Sequence, residues 1–269
     1  MKRMTLAVLL LAPTASAFAQ TDHAPICGST RRLHSTALGE DRTLLVRLPQ
    51  AYDKSSQTYP VLYRLDGDSG FFLHAVSAVH YLVDMRGQEP DYIVVAIENT
   101  DRTRDMDPER GADNFIRFLK TELVPYVDKN YRTNGSRSLC GQSFSSLFAL
   151  YSFLKEPSLF DAYLLGSFQL YKPSLLPLFE DALSKSQDIK TVGKKSIFIA
   201  NAKVDAYDPD GSGTARGAQF MDSLARSVPA TVAVKTVVYD DEGHVPFPFV
   251  YDGLRWVGSR GSAAGSLTR

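Results

Sequence analysis

The chain has 269 residues, 44% of them hydrophobic and 22% charged, with 30 Lys and Arg against 30 Asp and Glu. This is the composition of an ordinary globular protein, which excludes a disordered or fibrous chain. The balanced charge gives no reason to expect nucleic acid or an anionic membrane as partner.

The first twenty residues, MKRMTLAVLLLAPTASAFAQ, have the three parts of a secretory leader. Lys2 and Arg3 supply positive charge, Leu6 to Ala12 form a short apolar core, and Ala15-Ser16-Ala17 and Ala17-Phe18-Ala19 both fit a small-residue cleavage site. The apolar run is too short to span a bilayer and no later segment approaches that length. A signal peptide over residues 1–19 is expected, with the remaining chain secreted or periplasmic. Roughly 250 residues then remain, enough for one sizeable core. Export permits a disulfide, but Cys27 and Cys140 alone make no framework; both are expected as free thiols, Cys140 pointing into the core from a strand.

Residues 31–39, 41–49 and 58–67 read as three strands, rich in Val, Leu and Tyr and bounded by Pro, Gly and Asp. Residues 71–85 show helical spacing through Phe72, Val76, Val79 and Val83. DYIVVAIENT, 91–100, is a continuous β-branched run, as in a strand buried on both faces. Helical spacing returns over 111–131 through Phe115, Phe118, Leu119, Leu123 and Val127. A strand over 137–143 and a helix over 145–154 follow. Strands are expected at 160–168, 195–202 and 233–240, a helix at 217–228 between the last two, and a closing helix at 249–257. The long segment 168–195 could pack over the sheet end as a small cap. The small, polar terminus from 258 onward is expected to fray. Strands alternating with helices imply βαβ units and a mostly parallel sheet, and the three leading strands an antiparallel edge. One α/β domain is predicted.

In an open α/β sheet, ligand sites form where strands end and helices begin. The run Gly141-Gln142-Ser143-Phe144-Ser145 lies at such a junction. A nucleophile elbow needs small residues two before and two after its serine, and Gly141 and Ser145 meet that need. Such a serine requires a base, in the chain order Ser, acid, His. Of five histidines, His23, His34, His74 and His80 precede Ser143 and read as structural; His244 alone follows it, just after the last predicted strand. The acid should follow the strand at 195–202, where Asp205, Asp208 and Asp210 stand. Asp205 is nearest and is the preferred acid, Asp208 the alternative, and the other aspartates are turn formers. A calcium loop does not fit: with Gly211 at position six, position one is Ala206 and position twelve Gly217. An oxyanion hole needs two backbone N–H donors. Phe144, the residue after the nucleophile, is one candidate; Asp68, in the turn LDGDSG that Gly67 permits, is the other.

The segments YPVLYRLDGDSGF, VVAIENTDRTRDMDP, ADNFIRFLKTELVPYVDKNYRTN, SLCGQSFSSLFALY, FDAYLLGS and GHVPFPFVYDGLRW resemble, in order, the putative esterase family of α/β hydrolases, which includes the enterochelin esterase-like proteins. The resemblance implies an α/β-hydrolase fold over residues 20–258, with helices on both faces of the sheet and a flexible tail at 259–269. It implies a serine esterase with Ser143 as nucleophile and His244 as base, and puts Arg102 and Arg104 near the site mouth. These arginines would meet an anionic substrate, Arg102 foremost, or hold the loop by pairing with Asp101 or Asp105. Three departures stand out. Ser145-Ser146 replaces the usual Gly-Gly, GSFQLYKPS replaces a Ser-Pro-Ser-Leu-Trp-Trp-like run, and Lys203 takes the place of a glutamate.

The expected chemistry is hydrolysis of small-molecule carboxylic esters through an acyl-enzyme, with no cofactor and no metal, by a monomer or weak homo-oligomer. The alternatives are an exported binding protein without turnover on the same scaffold, and acyl transfer from a thioester, peptide or acylated sugar. Fold identity does not select the substrate.

Overall fold

A computed structural model describes residues 28–87 and 90–265, with the side chains of 68, 69 and 261–265 excluded. The predicted leader at 1–19 and Cys27 lie outside the described residues. Eight strands form one sheet: β1 (Ser29–Ser35), β2 (Glu40–Arg47), β3 (Tyr59–Arg64), β4 (Ile93–Ile97), β5 (Thr133–Gln142), β6 (Ala162–Gly166), β7 (Lys195–Ala202) and β8 (Val232–Tyr239). Their order is β1-β2-β4-β3-β5-β6-β7-β8. β2 runs antiparallel to both β1 and β4, and every other pairing is parallel. The antiparallel edge is therefore the chain's first hairpin, which needs no crossover helix.

The central strands carry the sequence signal that made them readable. Every residue of β3, β4 and β7 is buried, because helices cover both faces of a parallel sheet. Alternation then divides each strand between two cores. Ile93, Val95 and Ile97 pack into the larger core, while Val94 and Ala96 pack into the smaller. Helices α3 (Ala112–Phe118), α4 (Val124–Asn130), α5 (Phe144–Lys155), α6 (Leu175–Lys185) and α7 (Ser212–Ser227) contribute to the first. Helices α1 (Phe72–His80) and α8 (Phe249–Gly265) form the second. The short α2 (Arg102–Met106) lies after β4.

Segment 168–195 differs from the expected cap. It holds α6, whose Leu175, Phe179 and Leu183 recur one turn apart and are buried. Phe179 meets Tyr151 of α5 with ring centroids 5.8 Å apart and Phe220 of α7 at 5.3 Å. The segment is thus the β6–β7 crossover, and only its first residues approach the sheet end. The terminus also departs from the expected tail: α8 continues through residues 258–265. Its polar stretch is tied to the sheet by Arg260, whose Nε bonds Ser196 Oγ at 3.1 Å and whose carbonyl accepts Lys194 Nζ. No helix among the described residues is long and apolar enough to cross a membrane.

Candidate active site

β5 ends at Gln142 and α5 starts at Phe144, so Ser143 is the whole turn between them. Its backbone is left-handed, φ 57° and ψ −119°. Three non-glycine residues adopt positive φ among the described residues, Asp66, Ser143 and Ser167. All lie at or just beyond the carboxyl ends of β3, β5 and β6, where such strain, about 1–3 kcal/mol each, marks functional sites. The elbow closes only because residue 141 is glycine: a Cβ there would overlap the Ser145 carbonyl and the Ser146 nitrogen.

Three side chains meet at this turn. Ser143 Oγ lies 2.8 Å from His244 Nε2. His244 Nδ1 lies 2.9 and 2.8 Å from the two oxygens of Asp205. Ionised carboxylates only accept, so Nδ1 carries the proton and Nε2 is left to accept from the serine hydroxyl. The structure thus brings Ser143, His244 and Asp205 into one chain of hydrogen bonds. Asp205 is buried and also accepts from Gln169 Nε2 at 2.7 Å and Tyr207 N at 2.9 Å.

The histidine loop is fixed by its backbone. The His244 carbonyl accepts Gln142 Nε2 at 2.6 Å and also the Ser167 hydroxyl. His74 stacks on Phe247, ring centroids 4.9 Å apart, and bonds its carbonyl at 2.6 Å. Burial pushes the His74 imidazole below its ordinary value. His80 pairs with Asp84 and His34 with Asp41, away from the site.

Asp208 stands apart from these three side chains. Its carboxylate accepts the N–H groups of Gly213 at 2.8 Å and Thr214 at 2.7 Å, and Asp210 accepts Ser212 N at 3.0 Å. Both aspartates serve the first turn of α7. The three departures from the family pattern have places too. Lys203 points to solvent and pairs with Asp240 at 2.9 Å. Gln169, in the altered GSFQLYKPS run, donates to Asp205. Ser145 is fully buried and its Oγ lies 2.6 Å from Asp66 Oδ2.

Phe144 is the first residue of α5, and Asp68 the second of the helical turn Gly67–Phe71 that leads into α1. Both backbone N–H groups lie in the first turn of their helix, where the helix itself supplies no acceptor. Gly67 lets this turn settle on β4, since a Cβ would stand 3.0 Å from both the Ala96 side chain and Ile97 N. Arg102 does border the mouth, its guanidinium 5.5 Å from the Phe144 ring centroid. Its partner, however, is neither Asp101 nor Asp105. Nε bonds Asp66 Oδ1 at 2.6 Å and Nη2 bonds Oδ2 at 2.9 Å. Arg104 does make the expected loop-holding pair with Asp105, and pairs with Glu40 as well. Sequence reasoning passed over Asp66, Asn99, Gln142 and Gln169, although Asp66 and Gln142 stand beside residues it did select.

Phe144, Tyr171, Tyr207 and Phe247 give the mouth an aromatic wall. Tyr171 lies 6.0 Å from Phe144 and Tyr207 4.4 Å from His244, centroid to centroid. Tyr207 and Phe247 are exposed. Among the described residues no group of three or more His, Cys, Asp or Glu could hold a metal ion. Cys140 is a buried free thiol whose ionisation burial disfavours.

The family model described as "Putative esterase" matches residues 35–205. YjcH, an uncharacterized protein of Bacillus subtilis (strain 168), is 28% identical over 191 residues, covering 68% of this chain and 76% of YjcH. The ferri-bacillibactin esterase BesA of the same organism is 30% identical over 147 residues, 44% of this chain and 51% of BesA, so the match spans about half that relative's length. The crystal structure of an IroE-like serine hydrolase from Shewanella oneidensis superposes with a TM-score of 0.73 at 29% identity, covering 86% of this chain and 80% of that one. The siderophore hydrolase EstA of Aspergillus nidulans superposes at 0.71 over 91% of this chain and 99% of its own, but at 19% identity it speaks to the fold alone.

Proposed function

The chain belongs to the family described as "Putative esterase", whose chemistry is ester hydrolysis, and on that premise we propose that it is a serine carboxylic ester hydrolase acting on small-molecule esters through an acyl-enzyme. The observation that carries the proposal is the chain of hydrogen bonds from Ser143 Oγ through His244 to Asp205, set on a strained strand-to-helix turn.

In the first half-reaction the Ser143 hydroxyl proton moves to His244 Nε2 as Oγ attacks the ester carbonyl carbon. The carbonyl oxygen becomes an oxyanion, held by the N–H groups of Phe144 and Asp68. His244 returns the proton to the departing alkoxide, leaving the acyl group on Ser143. In the second half-reaction His244 takes a proton from water, whose oxygen attacks the acyl carbon. Collapse releases the carboxylic acid and restores the serine hydroxyl. Asp205 accepts from Nδ1 throughout, holding the tautomer and steadying the imidazolium. The leader expected from the sequence of residues 1–19 would place this action outside the cytoplasm.

Hydrolysis of short and medium-chain p-nitrophenyl esters by the wild type and by Ser143→Ala tests this. Turnover that disappears in the variant supports the proposal, and equal rates in both refute it.

A further inference from the structure

The oxyanion hole proposed above is made of two N–H groups from separate parts of the chain, Asp68 after β3 and Phe144 after β5. Its geometry depends on whatever fixes these two turns to each other. The Asp66 side chain spans them. Asp66, only 1% exposed, receives four hydrogen bonds from three segments. Asn99 Nδ2 donates to Oδ1 at 2.9 Å and Arg102 Nε to Oδ1 at 2.6 Å, both from the loop and helix after β4. Arg102 Nη2 donates to Oδ2 at 2.9 Å, and Ser145 Oγ lies 2.6 Å from the same oxygen. The Ser145 hydroxyl has one proton, with the Asp66 carboxylate at 2.6 Å and the Gln142 carbonyl at 2.9 Å as acceptors. The charged acceptor is the shorter and stronger. Ser145 Oγ itself accepts the Gln142 N–H at 2.7 Å.

Residue 66 is two before one proposed donor, and residue 145 is one after the other. The Asp66–Ser145 bond therefore ties the two halves of the hole at closest range. Arg102 completes the tie from outside, its fork gripping both oxygens of the carboxylate while Nη2 also reaches the Gln142 carbonyl at 3.3 Å. Burial works against the Asp66 charge, but the hydrogen bonds and charge of Arg102, with the Ser145 and Asn99 donors, outweigh it and hold the carboxyl below its ordinary range. Asp66 also occupies a left-handed conformation, φ 57° and ψ 40°, which turns the chain directly into Gly67 and Asp68.

We infer that Asp66, clamped by Arg102 and by the elbow's second serine Ser145, is a positioning residue that sets the spacing of the two oxyanion donors. This rests on the serine esterase reading. It gives Ser145 a use that glycine, the usual residue there, could not fill, and it assigns Arg102 to the enzyme's own framework rather than to an anionic substrate.

The test uses the full chain as wild type, Asp66→Asn and Ser145→Ala, with Ser143→Ala alongside. Asparagine tolerates the left-handed backbone, so Asp66→Asn keeps the turn while losing the charge and one acceptor. Ser145→Ala removes only the hydroxyl. Each protein is assayed for kcat and KM on a p-nitrophenyl ester and for inhibition by an alkylboronic acid, which forms a tetrahedral anionic adduct on an active serine. Losing an oxyanion donor outright lowers kcat by about 100- to 1000-fold, so a misplaced donor should lower it about tenfold in Ser145→Ala and up to about 100-fold in Asp66→Asn. KM should stay within about threefold, and boronate affinity should weaken in step with kcat/KM, as for an interaction made in the transition state. Loss confined to KM with boronate affinity intact would overturn the inference, as would kcat within about twofold of wild type in both variants. If Asp66→Asn fails to fold, Ser145→Ala decides alone. Turnover surviving in Ser143→Ala refutes the serine reading itself; turnover lost there but unchanged in the other two refutes only the positioning role.

Discussion

Replacing Asp205 with asparagine should disable the base without disturbing the fold, and the surroundings of the carboxylate say why. Two neighbours besides His244 donate to it, Tyr207 N to Oδ1 at 2.9 Å and Gln169 Nε2 to Oδ2 at 2.7 Å. A backbone N–H cannot reverse, so the amide oxygen of the substituted side chain must take the place of Oδ1 and its NH2 group the place of Oδ2. Gln169 can flip its own amide and accept from that NH2. His244 Nδ1, 2.8 Å from the same position and 2.9 Å from that of Oδ1, then faces a donor beside an uncharged acceptor, with the donor at the shorter distance. With Nδ1 accepting from the NH2 group, the imidazole takes the tautomer protonated at Nε2, which points at Ser143 Oγ and cannot take its proton. The wrong tautomer in a serine triad costs about 10⁴ in kcat, or about 5.4 kcal/mol at 1.36 kcal/mol per tenfold. Steady-state ester hydrolysis measures it: kcat should fall by roughly 10³–10⁴ with KM within about threefold, and a melting curve should show the protein still folded. A fall of less than about tenfold would refute the reasoning and take Asp205 out of the relay.

Asp208→Ala is the matching control, since that carboxylate serves α7 and not His244. Burial disfavours its charge, but hydrogen bonds from Thr214 and Gly213 prevail and hold the carboxyl below its ordinary range. A depressed carboxyl stabilises the fold above its unfolded pKa of about 3.9, and the effect is lost as pH falls through the folded value. Urea unfolding should therefore show the variant about 0.5–2 kcal/mol less stable at pH 7, with the gap shrinking below pH ~4. A gap unchanged at pH 3 would count against the capping role. Phe179→Ala opens a void where α5, α6 and α7 meet and should cost about 3–5 kcal/mol in the same assay; a loss under about 1 kcal/mol would mean that α6 is not part of the main core.

How readable the molecule was from its sequence depended on how local the cause was. β4 and β7 are buried on both faces, so the unbroken run Ile93–Ile97 and the apolar centre Ile197, Phe198, Ile199 and Ala200 declare them. Ser143 was legible through steric need, because only glycine fits at residue 141, and His244 through chain order. Asp205 was legible as the first carboxylate after β7. Asp66, Gln142 and Gln169 were not, because each acts through partners 33 to 102 residues away whose approach only the folded sheet creates. α6 was hidden for a different reason. Pro173 and Pro177 flank and enter it, but proline at the entrance or in the first turn of a helix removes no internal hydrogen bond, and Leu175, Phe179 and Leu183 keep a clean four-residue spacing. The end of α8 was not legible either: its small, polar residues are helical to Gly265, and Arg260 bonds Ser196 of β7 from a distance of 64 residues.

Covalent labelling tests whether Ser143 is an activated nucleophile without knowledge of the natural ester. The wild type and Ser143→Ala would be treated with a fluorophosphonate probe at neutral pH, weighed intact, and digested to locate the adduct. The account predicts one adduct per wild-type chain, on the peptide carrying Ser143, and none on the variant. An adduct elsewhere in the wild type, or equal labelling of both proteins, would contradict it.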